Sequence, residues 1–384
     1  MSSAPAPEQV VILSTIDWDT AWQRPQIFAA AFAAAGREVF YVENTGIRNP
    51  SWRDLPRLRR RVENLLSPRA AAGANPIPAG VRVFPPRVLP PESRIFRTLN
   101  SRVLLPALKA QLEAAGLRPG AACVVYVPTA TTIELVKILS PGVVLYDCAC
   151  HFAAHPLTPA DFPARESELL ALADQVVCDS EFLFARKKSE HRFVNKIHQG
   201  VPNDFFRLPP PPAGADEFCY YGTWSAGLDP RFVDALAAAG FRTTVSGFTK
   251  GDAPPLSAPV RRLPSVPLRE VAASLAPYTG LLLPYRIDPY MMGVMPAKIY
   301  ECLATGRPVL ATPLPALKAL EGLIYIGETP EDWVRIARGL PRTETEELRR
   351  ARVAHAREHS SELESRRFMD CLDAARVRRE ASAR

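Results

Sequence analysis

Short apolar runs alternate with helix-patterned stretches along most of the chain, and this rhythm restricts the fold more than any other feature. In the first half the runs are QVVILST, EVFYVEN, VRVFPP, ACVVYVPT, GVVLYDC, DQVVCDS and NKIHQGV. In the second they are EFCYYGT, RTTVSGF, VRRLPSV, GLLLPY, PVLAT and LIYIG. Runs that stay apolar instead of alternating with polar residues predict strands buried on both faces. Strands separated by helices predict parallel sheets with crossover connections. The spacing of apolar residues predicts helices over Pro25–Ala35, Ile95–Ala115, Thr131–Leu139, Pro163–Ala173 and Glu181–Glu190, then over Pro230–Ala239, Leu268–Leu275, Pro296–Thr305 and Pro330–Gly339.

The stretch RLPPPPAGADE, Arg207 to Glu217, interrupts the rhythm with four consecutive prolines, which favour an extended, semi-rigid connector. We place a boundary there. Residues 1–206 form one doubly wound Rossmann-like α/β domain, 207–342 a second, and the charged tract 343–384 a helix that crosses back over both. At 384 residues the chain is long enough for two such cores. Two domains of this kind facing across a cleft would bind ligands at the carboxyl ends of their strands.

No apolar run reaches the roughly eighteen residues of a membrane-spanning helix. The N-terminus has no charged start and leads into the first strand, so we expect a cytoplasmic protein. The seven cysteines are scattered in apolar runs, as reduced thiols would be. CACHFAAH gathers Cys148, Cys150, His151 and His155, but lacks the second half of a structural zinc motif; no metal site is expected. The net charge of +7 is concentrated between Arg48 and Arg69, where seven arginines interleave with Trp52, Leu55, Leu58, Val62, Leu65 and Leu66. Such a basic amphipathic segment suits an anionic membrane surface at the inner face of the plasma membrane, or else packs one face on its own domain. No nucleic-acid recognition motif accompanies it.

MPAKIYECLATGRPVLAT, Met295 to Thr312, carries the most specific chemistry. Pro296 suits a first helical position. Lys298 and Glu301 then share a face near the positive end of the helix, where they either hold a phosphate and a ribose or simply pair with each other. The pattern PxKxxExLAxGxPV resembles the donor-site helix of GT-B glycosyltransferases, especially the family 4-like group. That resemblance implies that Lys298 lies near the donor diphosphate and that Glu301 holds the nucleotide ribose. YYGTW resembles the opening strand and glycine turn of a GT-B donor domain, which adds Gly222 and Thr223 as phosphate contacts. HQGVPNDFF resembles the interdomain stretch of the same fold. The family 4 pattern has a further glutamate, whose place is taken here by Gly293; the neighbouring Arg286 is a candidate for reading an acidic sugar.

DWDTAWQRPQ resembles the N-terminal signature of bacterial cell-surface polysaccharide glycosyltransferases and nominates Asp19, Trp22 and Arg24 as acceptor-side residues. Arg24 could clasp an anion, and Trp22 offers a face for sugar stacking; the structural alternative pairs Arg24 with Asp17 or Asp19. VVLYDCACHF is similar to the corresponding segment of xanthan-type glucuronosyltransferases, some of which place a basic aspartate where Cys150 stands here. Asp147 and His151 are the neighbours able to accept a proton; for Asp147, hydrogen bonding at a strand end is the equal alternative.

Taken together, the resemblances imply a glycosyltransferase of GT-B architecture. It would move a sugar from a nucleotide diphosphate donor, a UDP-sugar with UDP-glucuronate as one candidate, to a lipid-linked oligosaccharide in surface-polysaccharide synthesis. No cofactor is implied, and no Asp-x-Asp metal motif follows a donor-domain strand. The alternatives are a nucleotide-sugar epimerase of the same architecture and a non-catalytic nucleotide-sugar-binding assembly partner.

Overall fold

Apolar runs such as Val10–Leu13, Ala122–Val125 and Leu281–Leu283 are sealed from solvent on both faces, which requires helices on both sides of each sheet. A computed structural model describes residues 8–20, 22–46, 75–89, 94–155, 158–211 and 216–382. The basic stretch Arg48–Arg69 lies outside the described residues. The chain divides into two units. The first comprises Met1–Asp179, Leu183–Ile197 and Ser365–Arg384, and the second Ser180–Phe182 and His198–Glu364.

The first unit holds a parallel sheet of seven strands: β1 Gln9–Leu13, β2 Glu38–Val42, β3 Val81–Phe84, β4 Ala122–Val125, β5 Val143–Cys148, β6 Gln175–Cys178 and β7 Val194–Lys196. Their spatial order is β3-β2-β1-β4-β5-β6-β7, so the winding direction reverses between β1 and β4. The second unit holds six parallel strands: β8 Glu217–Tyr221, β9 Arg242–Ser246, β10 Arg261–Leu263, β11 Gly280–Leu283, β12 Val309–Ala311 and β13 Tyr325–Ile326. Their order is β10-β9-β8-β11-β12-β13, with the reversal between β8 and β11. A reversal opens a crevice at the carboxyl ends of the two strands that flank it, because their crossover helices leave on opposite faces. The Lys298 site described below stands at the reversal of the second unit.

The charged C-terminal tract is two helices, Glu346–Arg357 and Ser361–Ser382. From Ser365 onward the second helix belongs to the first unit. There Phe368, Leu372 and Ala375 are fully buried, and the Phe368 ring stacks on Phe28 at 4.0 Å.

One local expectation is corrected. The helix expected from Pro296 runs only from Ile299 to Ala304. The Pro296 carbonyl accepts the Ile299 N–H in a preceding turn, and Lys298 occupies the N-cap. Gly306, at a φ of 70°, then ends the segment. A six-residue helix supplies little dipole, so the positive charge at this point is that of the lysine itself.

Candidate functional site

In the second unit the loops after β8, β9 and β11 meet. Gly222 follows β8 at a φ of 114°, in the left-handed region that glycine tolerates. A β-carbon on it would collide with the Lys298 side chain, 2.7 Å from Nζ. A β-carbon on Gly247, after β9, would likewise collide with the Gly222 carbonyl. The lysine Nζ stands 5.7 Å from the centre of the Tyr220 ring and 6.0 Å from that of Tyr221. Burial works against its charge, but Tyr220, Tyr285 and Glu301 outweigh it and hold the ammonium protonated.

Glu301 makes no ion pair with Lys298. Its Oε2 accepts the Tyr221 hydroxyl at 2.8 Å. Burial raises its pKa, while the Tyr221 hydrogen bond and the lysine charge oppose the rise. Burial also pushes the Tyr221 hydroxyl well above its ordinary value. Sequence reasoning missed Tyr221, since nothing in an apolar strand run marks its last tyrosine as a carboxylate partner. Thr223 is half-buried, and its carbonyl accepts from Tyr220 at 2.9 Å. Pro296 is buried in the turn before Lys298. Gly293, where the related pattern has a glutamate, offers its carbonyl to the Ser180 hydroxyl at 3.0 Å.

Arg286 is exposed, and its Nε donates to the Leu228 carbonyl at 3.1 Å. It helps to line a cavity of about 520 Å³ with Asp229, Tyr285, Thr312 and Glu328, beyond the ends of β11, β12 and β13.

The first unit assembles a different site. The parallel register pairs Val125 with Tyr146 and Asp147 with Val177. Tyr126, Asp147 and Asp179 therefore present their side chains on one face of the sheet, at its carboxyl end. Arg24, in the first turn of the helix Arg24–Ala34, reaches this face, and its Nε donates to Asp147 Oδ2 at 2.7 Å. Arg24 is 5% exposed and Asp147 0%. The guanidinium also lies over the Phe28 ring at 4.8 Å. Desolvation disfavours its charge, but Asp147, helped by Asp179, more than restores it. Burial raises Asp147 above the usual carboxylate range despite Arg24, and raises Asp179 well above it. Neither expected partner of Arg24, Asp17 or Asp19, holds its guanidinium; the carboxylate that does is 123 residues away.

His151 is half-buried, and its Nε2 lies 3.0 Å from Arg186 Nη1. Arginine only donates, so this imidazole nitrogen is the acceptor and its lone pair is engaged. Trp22 is half-buried, edge-on to the buried Trp18 at 5.3 Å, and Asp19 is exposed. The structure thus brings Arg24 to Asp147, and Lys298 to Gly222. Among the described residues no three His, Cys, Asp or Glu side chains gather as metal ligands. No helix among them is long and apolar enough to cross a membrane.

No protein-family model and no curated protein matches the sequence. Solved structures do resemble the fold. HepE of Anabaena, determined with UDP-glucose, aligns with a TM-score of 0.65 at 11% identity over 95% of this chain and 99% of that one. A glycosyltransferase from Rickettsia africae gives 0.64 at 11% identity over 96% and 98%. UGT89C1 of Arabidopsis thaliana, determined with UDP-L-rhamnose, gives 0.52 at 11% identity over 97% and 99%. At such identities the likeness establishes the fold: the two doubly wound parallel units of GT-B-like proteins.

Proposed function

We propose that the protein is a glycosyltransferase using a nucleotide diphosphate sugar, and that Lys298 against Gly222 is the donor-phosphate contact. The observation that carries this reading is the Lys298 side chain packed on a glycine turn at the reversal between β8 and β11. The fold is shared with proteins solved with UDP, UDP-glucose and UDP-L-rhamnose, which supports a uridine-linked donor.

In this reading the acceptor oxygen bonds to the anomeric carbon as the bond from that carbon to the diphosphate oxygen breaks. The electron pair leaves on the diphosphate, where the Lys298 ammonium and the backbone N–H of Thr223 stabilise it. The Gly222 N–H is held by the Ser246 carbonyl at 2.8 Å, so the glycine serves by letting the backbone come close. Glu301, oriented by Tyr221, accepts the ribose hydroxyls. The acceptor proton passes to Asp147, whose burial raises its basicity, while Arg24 orients the carboxylate. His151 is the weaker candidate, since Arg186 engages its Nε2. Asp19 and Trp22 would serve the acceptor, and Arg286 an acidic group on the sugar.

We further assign the acceptor to the lipid-linked oligosaccharides of surface-polysaccharide synthesis, with Arg48–Arg69 touching the membrane. Metal-independent transfer belongs to the same proposal. Transfer of radiolabelled sugar from a UDP-sugar to membrane extracts tests it, and unchanged transfer by Lys298→Ala removes the donor role. A second reading, a binding partner without turnover, is favoured by the complete burial of Asp147 in its ion pair. Calorimetric UDP-sugar binding without turnover on any acceptor would select it.

A further inference from the structure

The segment from Arg94 to Val103 turns apolar side chains outward. Arg94–Leu99 is α-helical, Asn100–Leu104 forms a π-helical turn, and Leu105–Ala114 is α-helical again. The inward side is pinned by Asn100, whose side-chain amide accepts the Leu89 N–H and donates to the Leu89 carbonyl, both at 2.8 Å. Ser101 donates to Glu134 at 2.8 Å, and Leu105, Leu108 and Leu112 are buried. The outward side carries Ile95, Phe96, Leu99 and Val103, which are 77, 38, 42 and 52% exposed. Ile95, Leu99 and Val103 recur at every fourth position, so they line up as one stripe. Single exposed apolar residues are ordinary; a contiguous stripe of them marks an interaction surface.

Its charge names the partner. Three arginines and no acidic residue lie between Arg94 and Val103. Arg97 pairs with Asp161 at 3.4 Å, whereas Arg94 and Arg102 have no acidic partner among the described residues. Cations flanking an apolar stripe match the boundary between lipid phosphates and acyl chains. A second copy of the same face would set arginine against arginine across a two-fold axis.

We propose that this face docks on an anionic lipid surface, with Ile95, Phe96, Leu99 and Val103 entering the headgroup–acyl boundary and Arg94 and Arg102 meeting lipid phosphates. The proposal deepens the membrane part of the function proposed above, on residues separate from Arg48–Arg69 and from both candidate sites.

The test is sedimentation of the full chain with vesicles of phosphatidylcholine plus phosphatidylglycerol, against phosphatidylcholine alone. Wild type is expected to pellet with the anionic vesicles and to be released by high salt. The combined variant Ile95→Glu, Leu99→Glu, Val103→Glu should lose that binding while keeping its thermal melt, since all three side chains are exposed. Arg94→Ser with Arg102→Ser should weaken it by about fivefold per charge. Wild-type binding by the glutamate variant would place the contact elsewhere, Arg48–Arg69 included, and overturn the proposal. So would an absence of vesicle binding, or a self-association seen by light scattering that the glutamates abolish. UDP binding by the same preparations, measured by calorimetry, reports on the donor reading separately.

Discussion

Lys298 occupies the space that a side chain on Gly222 would need, its Nζ standing 2.7 Å from the position of the absent β-carbon. The glycine is thus a steric condition for the lysine as well as a turn residue at a φ of 114°. Gly222→Ala should displace the ammonium and strain the turn, costing about 1–3 kcal/mol of stability. UDP affinity should fall by about ten- to hundredfold, the worth of a hydrogen bond to a charged group. Calorimetric titration with UDP checks this, and unchanged affinity would show that the lysine does not meet the phosphate.

Removing the lysine directly should act on the chemistry more than on the fold. Lys298→Ala is expected to lower transfer by about a hundred- to a thousandfold, as loss of a preorganised charge at a leaving group does. Its melting temperature should stay near that of wild type. A chelator added to the wild-type assay should leave the rate unchanged, and a rate restored by divalent cations would refute the metal-independent part of the proposal.

Arg24 is the counter-charge of a carboxylate with no exposure. Arg24→Gln should therefore destabilise the first unit by about 3–5 kcal/mol at neutral pH, because a buried charge is left uncompensated. The deficit should depend on pH in a defined direction. Without the guanidinium, desolvation acts on Asp147 unopposed by its main counterweight, so its folded pKa rises further above the ordinary 3.8. A carboxyl whose folded pKa is raised favours folding below its unfolded value, and that contribution is lost as pH rises through the folded value. The gap between variant and wild-type melting temperatures should then narrow as the solution is acidified. A gap that stays constant with pH would mean that the arginine acts through packing on Phe28 alone.

Tyr221→Phe removes the hydroxyl that orients the half-buried Glu301 and should cost about 1 kcal/mol, the net worth of one hydrogen bond. If Glu301 holds the donor ribose, KM for the UDP-sugar should rise with kcat little changed. A fall confined to kcat would instead place Glu301 in the reacting centre.

Much of the fold was legible because the inner strands β1, β4, β5, β6, β11 and β12 are buried along their whole length, which leaves continuous apolar runs. The edge strands β3, β7 and β10, by contrast, are partly exposed. The seven runs of the first half and the six of the second appear as two parallel sheets with those numbers of strands. The helix at Lys298 was misjudged in length, since Pro296 satisfies the preference for a first helical position and the rule for a preceding turn equally well. The candidate sites were legible one residue at a time but not as pairs. The bond from Arg24 to Asp147 spans 123 residues and that from Tyr221 to Glu301 spans 80, and periodicity carries no information over such distances. Asp179 and Tyr126 escaped notice for the same reason: only the register between strands brings them to the face where Asp147 stands.

The stacking of Phe368 on Phe28 has a consequence for how the protein is made. A ribosome that has released only the N-terminal half has produced strands whose apolar floor lacks its last panel, and that panel arrives with Phe368, Leu372 and Ala375. The first half must wait, partly open, while the entire second unit is synthesised. A fragment ended before those residues should behave as a chaperone client instead of a free-standing domain.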